Sequence, residues 1–117
     1  RQMCIRDSYI FEAPIDLLSY ISLHPEKWQE HNYVACCGTS SIPVLEMVRQ
    51  LPQLRQVCLC LDNDDAGHTA SERMAELLKE HGLTAVRLVP QQKDWNDDLT
   101  ADQEIENGRS NLCQTFC

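Results

Sequence analysis

The 117-residue sequence has no apolar run near the roughly 20 residues that a membrane-crossing helix needs, which excludes a spanning helix. Its first residues show no apolar secretory leader. Basic charge is scarce, with 10 Lys and Arg against 18 Asp and Glu and a formal net charge of -8. Such a surface weakens non-specific attraction to nucleic acid phosphates, which carry the same sign. If this chain acts on DNA or RNA, the positive charge must come from metal ions or neighbouring domains. Paired CxxC spacings are also missing despite 7 cysteines, which argues against a structural zinc site. Cys36 and Cys37 in "YVACCG" and Cys58 and Cys60 in "QVCLCLD" read as reduced thiols packed like small hydrophobes. Cys113 and Cys117 have ligand-like spacing but no second pair. These features set the expectation of a cytoplasmic protein.

What is present is ordinary for one globular domain: 43% hydrophobic and 24% charged residues. Short apolar runs alternate with helical patterns. The runs are Tyr9 to Ala13, "YVACC", "QVCLCL" and "AVRLV", the last ended by Pro90. A helical pattern follows Pro14, with Ile15, Leu17, Leu18 and Ile21 as its expected apolar stripe. A second runs through Ile42, Leu45 and Val48, with Ser41 as a plausible cap. The third spans 66–81, with Ala70, Met74, Leu77 and Leu78 on one face and Gly82 as its stop. This order predicts a parallel sheet covered by helices. The third strand is apolar at nearly every position, as burial on both faces requires. Residues 1–8 lack periodicity and are expected to be a leader outside the fold. Residues 100–117 are expected to form a polar tail, disordered or starting a further segment with Asp102 as a possible cap.

In open sheets of this kind ligands gather beyond the carboxyl ends of the strands. Here those ends carry Glu12, Gly38 with Thr39, Asp62, and "PQQKDWND". Asp62 and Asp64 are two residues apart and can face one ion, with Glu12 completing an all-oxygen site. Mg²⁺ suits such a site because it takes a few carboxylates and fills its remaining positions with water and phosphate oxygens; Mn²⁺ is an alternative. Helix capping and plain solvation compete with this reading, and Asp65 is the expected cap of the third helix. An EF-hand also begins DxDxxG, but Ala66 and Arg73 stand where it needs ligands. A haloacid-dehalogenase-type phosphatase has strand-DxD, yet wants Thr or Val at Ala66, and remains a remote alternative.

Three pieces in order resemble a Toprim domain, the catalytic module of bacterial-type primases, topoisomerases and certain nucleases. They are strand-Glu-xxx-Asp in "YIFEAPIDLLSY", strand-Gly-Thr in "VACCGTSS", and strand-DxDxAG in "LCLDNDDAG". "VPQQKDWND" resembles the further acidic element of primase-type members, and the wording "DNDDAGH" and "KDWND" is similar to primase-like proteins of mobile elements and plasmids. The resemblance covers 9–99. It implies an α/β, Rossmann-like Toprim fold of about four parallel strands with helices on both faces. It also implies Glu12 as general base or acid, and a Mg²⁺ ligand set of Glu12, Asp62, Asp64 and Asp94. Lys93 would neutralise phosphate, unless it is simply solvated. The implied activity is nucleotidyl transfer or strand cleavage on nucleic acid, DNA or RNA/DNA, gripped through flanking domains. Nucleotides and replication or mobilisation proteins are the further implied partners, with no membrane. A non-catalytic scaffold is the competing function.

Several residues keep two readings. Asp16 either caps its helix or supports the acidic site, and Gly38 with Thr39 either meets a phosphate or makes a plain turn. His68 either touches phosphate or lies on a helix surface. Trp28 and Trp95 read as packing residues, Trp95 at the site rim, and "HPEKWQEHN" as a solvated connector. Ala13 stands where the family usually has Gly after the Glu, and Ala is small enough to keep the fold.

Overall fold

The run from Val57 to Leu61 is apolar on both of its faces because both are covered. Val57, Leu59 and Leu61 enter one cluster, while Cys58 and Cys60 enter the opposite one. This is the alternation that period-2 side-chain geometry imposes on a central strand. The computed structural model describes residues 7–26 and 28–116. Its elements, in chain order, are β1 (Asp7–Phe11), α1 (Pro14–Leu23), a single 3-10 turn (Trp28–Glu30), β2 (Asn32–Ala35), α2 (Ile42–Gln50), β3 (Gln56–Leu59), α3 (Asp65–Glu80), β4 (Thr84–Arg87) and α4 (Trp95–Phe116).

All strand pairs are parallel, and the 4-stranded sheet has the order β2-β1-β3-β4. The register sets Tyr9 beside Tyr33 and Cys58, and Leu59 beside Arg87. The chain steps from β1 to one side, then returns to the other side of β1, so β1 and β3 flank the switch point. Their carboxyl ends open the crevice where this topology collects ligands.

One face of the sheet carries α2 and α3 through Val44, Met47, Ala70, Met74 and Leu78, packed on Ile10, Val57, Leu59 and Leu61. The other carries α1 and α4, with Trp95 and Tyr20 against Phe11, Cys58 and Cys60. Each fully buried Leu, Ile or Phe contributes about 1.5–3 kcal/mol. The fold is therefore the expected α/β arrangement, with parallel strands between two helical layers. Cys36, Cys37, Cys58 and Cys60 are free thiols, and Cys37 alone of these is exposed. Gly82 ends α3 at φ +78°, with Leu83 N–H donating to Leu78 O and Gly82 N–H to Lys79 O, both at 3.0 Å. That pair of bonds is the left-handed stop for which glycine is suited.

The structure corrects several expectations. Asp7 and Ser8 belong to β1, and Ser8 is fully buried, accepting from Asn32 Nδ2 at 3.0 Å; the excluded leader therefore takes in two residues of the fold. Residues 1–6 lie outside the described residues. The segment expected as a polar tail or the start of a further segment is helical through Phe116, and its helix starts at Trp95 rather than near Asp102. The Cys113 and Cys117 side chains are outside the described set.

On α1 the predicted stripe holds only in part: Leu17 packs on the core and Ile21 is half-buried, but Ile15 and Leu18 are exposed, whereas Asp16 and Ser19 are buried. Packing against α4 decides this, through Ser19 Oγ to Asn96 Oδ1 at 3.3 Å and Tyr20 edge-on to Trp95 at 4.9 Å. On α2 Val44 and Met47 are buried and Ile42 is exposed. Ser41 makes no side-chain cap; Ser40 Oγ accepts from Ile42 N–H at 3.2 Å instead. Trp28 is exposed rather than packed.

Candidate metal centre

The acidic loop begins where β3 runs out of ladder. Asn63 ties it to the β4–α4 connection, its N–H donating to Lys93 O at 2.7 Å and its Nδ2 to Pro90 O at 3.1 Å. Asp64 then adopts extended backbone and caps α3, its Oδ1 accepting from Gly67 N–H at 2.7 Å. The expected cap, Asp65, is instead the first helical residue and is exposed. Its charge still favours the positive end of the helix dipole, but the capping bond belongs to the preceding residue. Gly67 is required by contact: a Cβ there would lie 2.1 Å from Asp62 O. The first turn of α3 thus rests directly on the acidic loop.

Glu12 leaves the adjacent strand end. Its carbonyl accepts from Gly38 N–H at 2.9 Å, and its Oε1 accepts from Asp62 N–H at 3.2 Å. The Gly38 amide is thereby used in a turn, with φ +137° at Gly38 and +55° at Cys37. One helical turn beyond Glu12, Asp16 is only 4% exposed. It does not cap α1; its Oδ1 accepts from Asn96 N–H of α4 at 3.3 Å. Asp94 caps α4, with its Oδ1 accepting from Asp97 N–H at 2.8 Å. Asp16, Asp62 and Asp94 each bring one carboxylate oxygen within 4.8 Å of the others.

Crowding leaves an electrostatic signature. Asp62 is pushed up to about 6, first by burial and then by the charges of Glu12, Asp64 and Asp94. Burial also drives Asp16 up to about 6; the Asn96 N–H opposes this, while Asp94, Asp62 and Asp97 add to it. Asp62 Oδ1 is buried and has no hydrogen-bond partner among the described residues. An unpaired buried carboxylate oxygen is costly unless a cation or proton meets it. The donor set is all oxygen, the chemistry that a hard cation such as Mg²⁺ selects. The residues present therefore fit a hard divalent cation such as Mg²⁺.

Of the sequence-predicted residues, Glu12 and Asp62 touch, and Asp94 joins Asp62 across the crevice. Asp64 lies outside the trio as a cap, and Asp16 stands within it. Lys93 is exposed, and its side chain makes no hydrogen bond or ion pair among the described residues. His68 is exposed, with Nδ1 3.2 Å from Arg87 Nη2. Trp95 is buried as a packing residue and donates Nε1–H to Cys60 O at 3.0 Å. Three contributors escaped the sequence reading. Asn96 holds Asp16, Asp98 accepts from the amides of Gln91 (2.9 Å) and Gln92 (2.7 Å), and Arg87 reaches the Asp62 carbonyl. Asp98 was visible as another acid in "KDWNDD", but Asn96 and Arg87 carry no signal of their own in a single sequence.

Comparisons with known proteins agree with this architecture. An uncharacterized protein of Mycoplasma pneumoniae, the MG010 homolog, is 31% identical over 93 residues, covering 78% of this chain and 42% of that protein. Its counterpart in Mycoplasma genitalium, MG010, also uncharacterized, is 28% identical over 102 residues, covering 83% of this chain and 44% of that one. The chain thus spans less than half the length of these curated relatives. The crystal structure of the primase fragment of the bacteriophage T7 primase-helicase protein shares the fold, with a TM-score of 0.65 and 24% identity over 87% of this chain and 43% of that one. The Toprim-like family profile matches residues 9–99, and the chain belongs to that family.

Proposed function

We propose that this domain is a Mg²⁺-dependent catalytic module acting on nucleic acid phosphodiesters, of primase-like type. The observation that carries the reading is the convergence of Asp16, Asp62 and Asp94 on one point, with Asp62 Oδ1 buried and unpaired. These three would hold Mg²⁺ (or Mn²⁺), and a bound ion supplies Lewis acidity at a phosphoryl oxygen. Glu12 would move a proton at that oxygen, and its contact with the Asp62 backbone N–H, beside the trio, supports that role. Asp64 and Asp94 keep their loops in place by capping the helices that follow. Lys93, exposed beside the site, would meet substrate phosphate from outside. The net charge of -8 supports a division of labour, with the nucleic acid gripped by flanking domains and this domain loading metal. Nucleotides are the small substrates consistent with nucleotidyl transfer, and replication or mobilisation proteins are the corresponding partners. No described helix is long and apolar enough to cross a membrane.

Membership of the Toprim-like family leaves no role for the phosphatase alternative. A second reading, a non-catalytic interaction module, draws on one observation. Asp64 and Asp94 cap helices, work that needs no metal. Mn²⁺ and Mg²⁺ titration of the wild type and of Asp62→Asn, followed by thermal melting, separates the two. Metal should stabilise the wild type and not the variant; equal shifts in both would remove the proposed site.

A further inference from the structure

Arg87 ends β4 with a charge that meets no carboxylate among the described residues. Its guanidinium is directed instead at main-chain oxygens around the exit of β3. Nη1 donates to Leu61 O at 2.7 Å, and to Leu59 O and Leu88 O at 3.2 Å each. Nη2 donates to Asp62 O at 2.8 Å and lies 3.2 Å from His68 Nδ1. Parallel pairing between β3 and β4 stops at Leu59 and Arg87, so the Leu61 and Asp62 carbonyls lie beyond the ladder. One planar, forked donor takes over where the strand partner ends.

We infer that Arg87 is a positioning residue of the acidic centre, fixing the carbonyls on both sides of the Asp62 Cα from which its carboxylate projects. The inference rests on the reading that the acidic trio holds a divalent cation. The oxygen that must be held is the one with no partner of its own, Asp62 Oδ1. Glu12 fixes the N–H side of Asp62 at 3.2 Å, and Arg87 fixes its carbonyl at 2.8 Å. Gly67 closes the third side, with no room for a Cβ beside that same carbonyl. The Asp62 main chain is thus gripped from three elements, and its side chain is left to the site. Partners that orient ligands typically change metal affinity by about 10–100-fold when removed. Lysine keeps the charge but is a point donor and cannot hold two successive carbonyls as the fork does.

The test is Mn²⁺ binding by electron paramagnetic resonance for the wild type and Arg87→Lys, with metal-free melting as the measure of folding. The expected result is a folded variant with about tenfold weaker binding and an altered bound-Mn²⁺ spectrum. Wild-type affinity and spectrum in the variant, even at a lower melting temperature, would assign Arg87 to stability alone and overturn the inference while leaving the metal site standing. No Mn²⁺ binding by the wild type would overturn both. Should Arg87→Lys fail to fold, NMR of the wild-type Arg87 guanidinium during a Mg²⁺ titration decides. Resonances that shift with the binding curve support the inference, and resonances that stay fixed at saturating metal overturn it.

Discussion

Replacing Asp16 by Asn should stabilise the metal-free protein at neutral pH while weakening its hold on metal. Asp16 is 4% exposed, accepts one N–H bond from Asn96, and shares its surroundings with Asp62, Asp94 and Asp97. Its carboxyl is raised from 3.8 to about 6. A raised acid favours the folded state fully below its unfolded value, and that contribution is lost as pH climbs through the folded one. At about 1.4 kcal/mol per tenfold change in proton affinity, the loss approaches 3 kcal/mol above pH ~6. Asparagine retains the oxygen that accepts from Asn96 and brings no charge. Urea unfolding in the presence of chelator should therefore show Asp16→Asn more stable than wild type by about 2–3 kcal/mol near pH ~7.5 and nearly equal near pH ~4. With Mg²⁺ present the order should reverse, because carboxylates must lose their protons to bind metal. A gap between the two proteins that is no wider at neutral than at acid pH would refute the burial-and-repulsion argument.

Two further outcomes follow from the acidic loop. Gly67→Ala should cost more than about 2 kcal/mol in urea unfolding and abolish stabilisation by metal, since the new Cβ would meet Asp62 O at 2.1 Å. A variant of wild-type stability would mean the helix start can slide away from the loop. Asp64→Ala should cost about 1 kcal/mol as a lost cap, while Asp65→Ala should stay within about 0.5 kcal/mol; thermal melts giving the opposite order would contradict the cap at Asp64.

Much of the frame was legible because its signals are local. The doubly apolar run at Val57–Leu61 announced a central parallel strand, and Gly82 announced the end of a helix. Helix faces were less legible. Of the expected stripe on α1, Leu17 packs but Ile15 and Leu18 are exposed, and the face that packs also carries Asp16, Ser19 and Tyr20. Periodicity reports that a face exists, and only the docking of α4 selects which one is covered. The choice between Asp64 and Asp65 as cap turned on a single residue of backbone, extended at the first and helical at the second. Arg87, inside a short strand, carries no mark in the sequence of the carbonyls that the fold makes its partners.

The order of strands and helices, and the presence of acids at strand exits, are properties of the amino-acid sequence alone. Hydrophobic periodicity and turn residues act over a few positions, and those distances are written along the chain. Which acids meet is a different matter. Asp16, Asp62 and Asp94 converge only because the order β2-β1-β3-β4 sets two strand exits side by side and α4 folds back over α1. The same folding assigns an oxygen of Asp64 to the start of α3 and an oxygen of Asp94 to the start of α4. Competition between helix amides and a cation for carboxylate oxygens is settled in three dimensions, since both claimants come into reach only once the helices are placed.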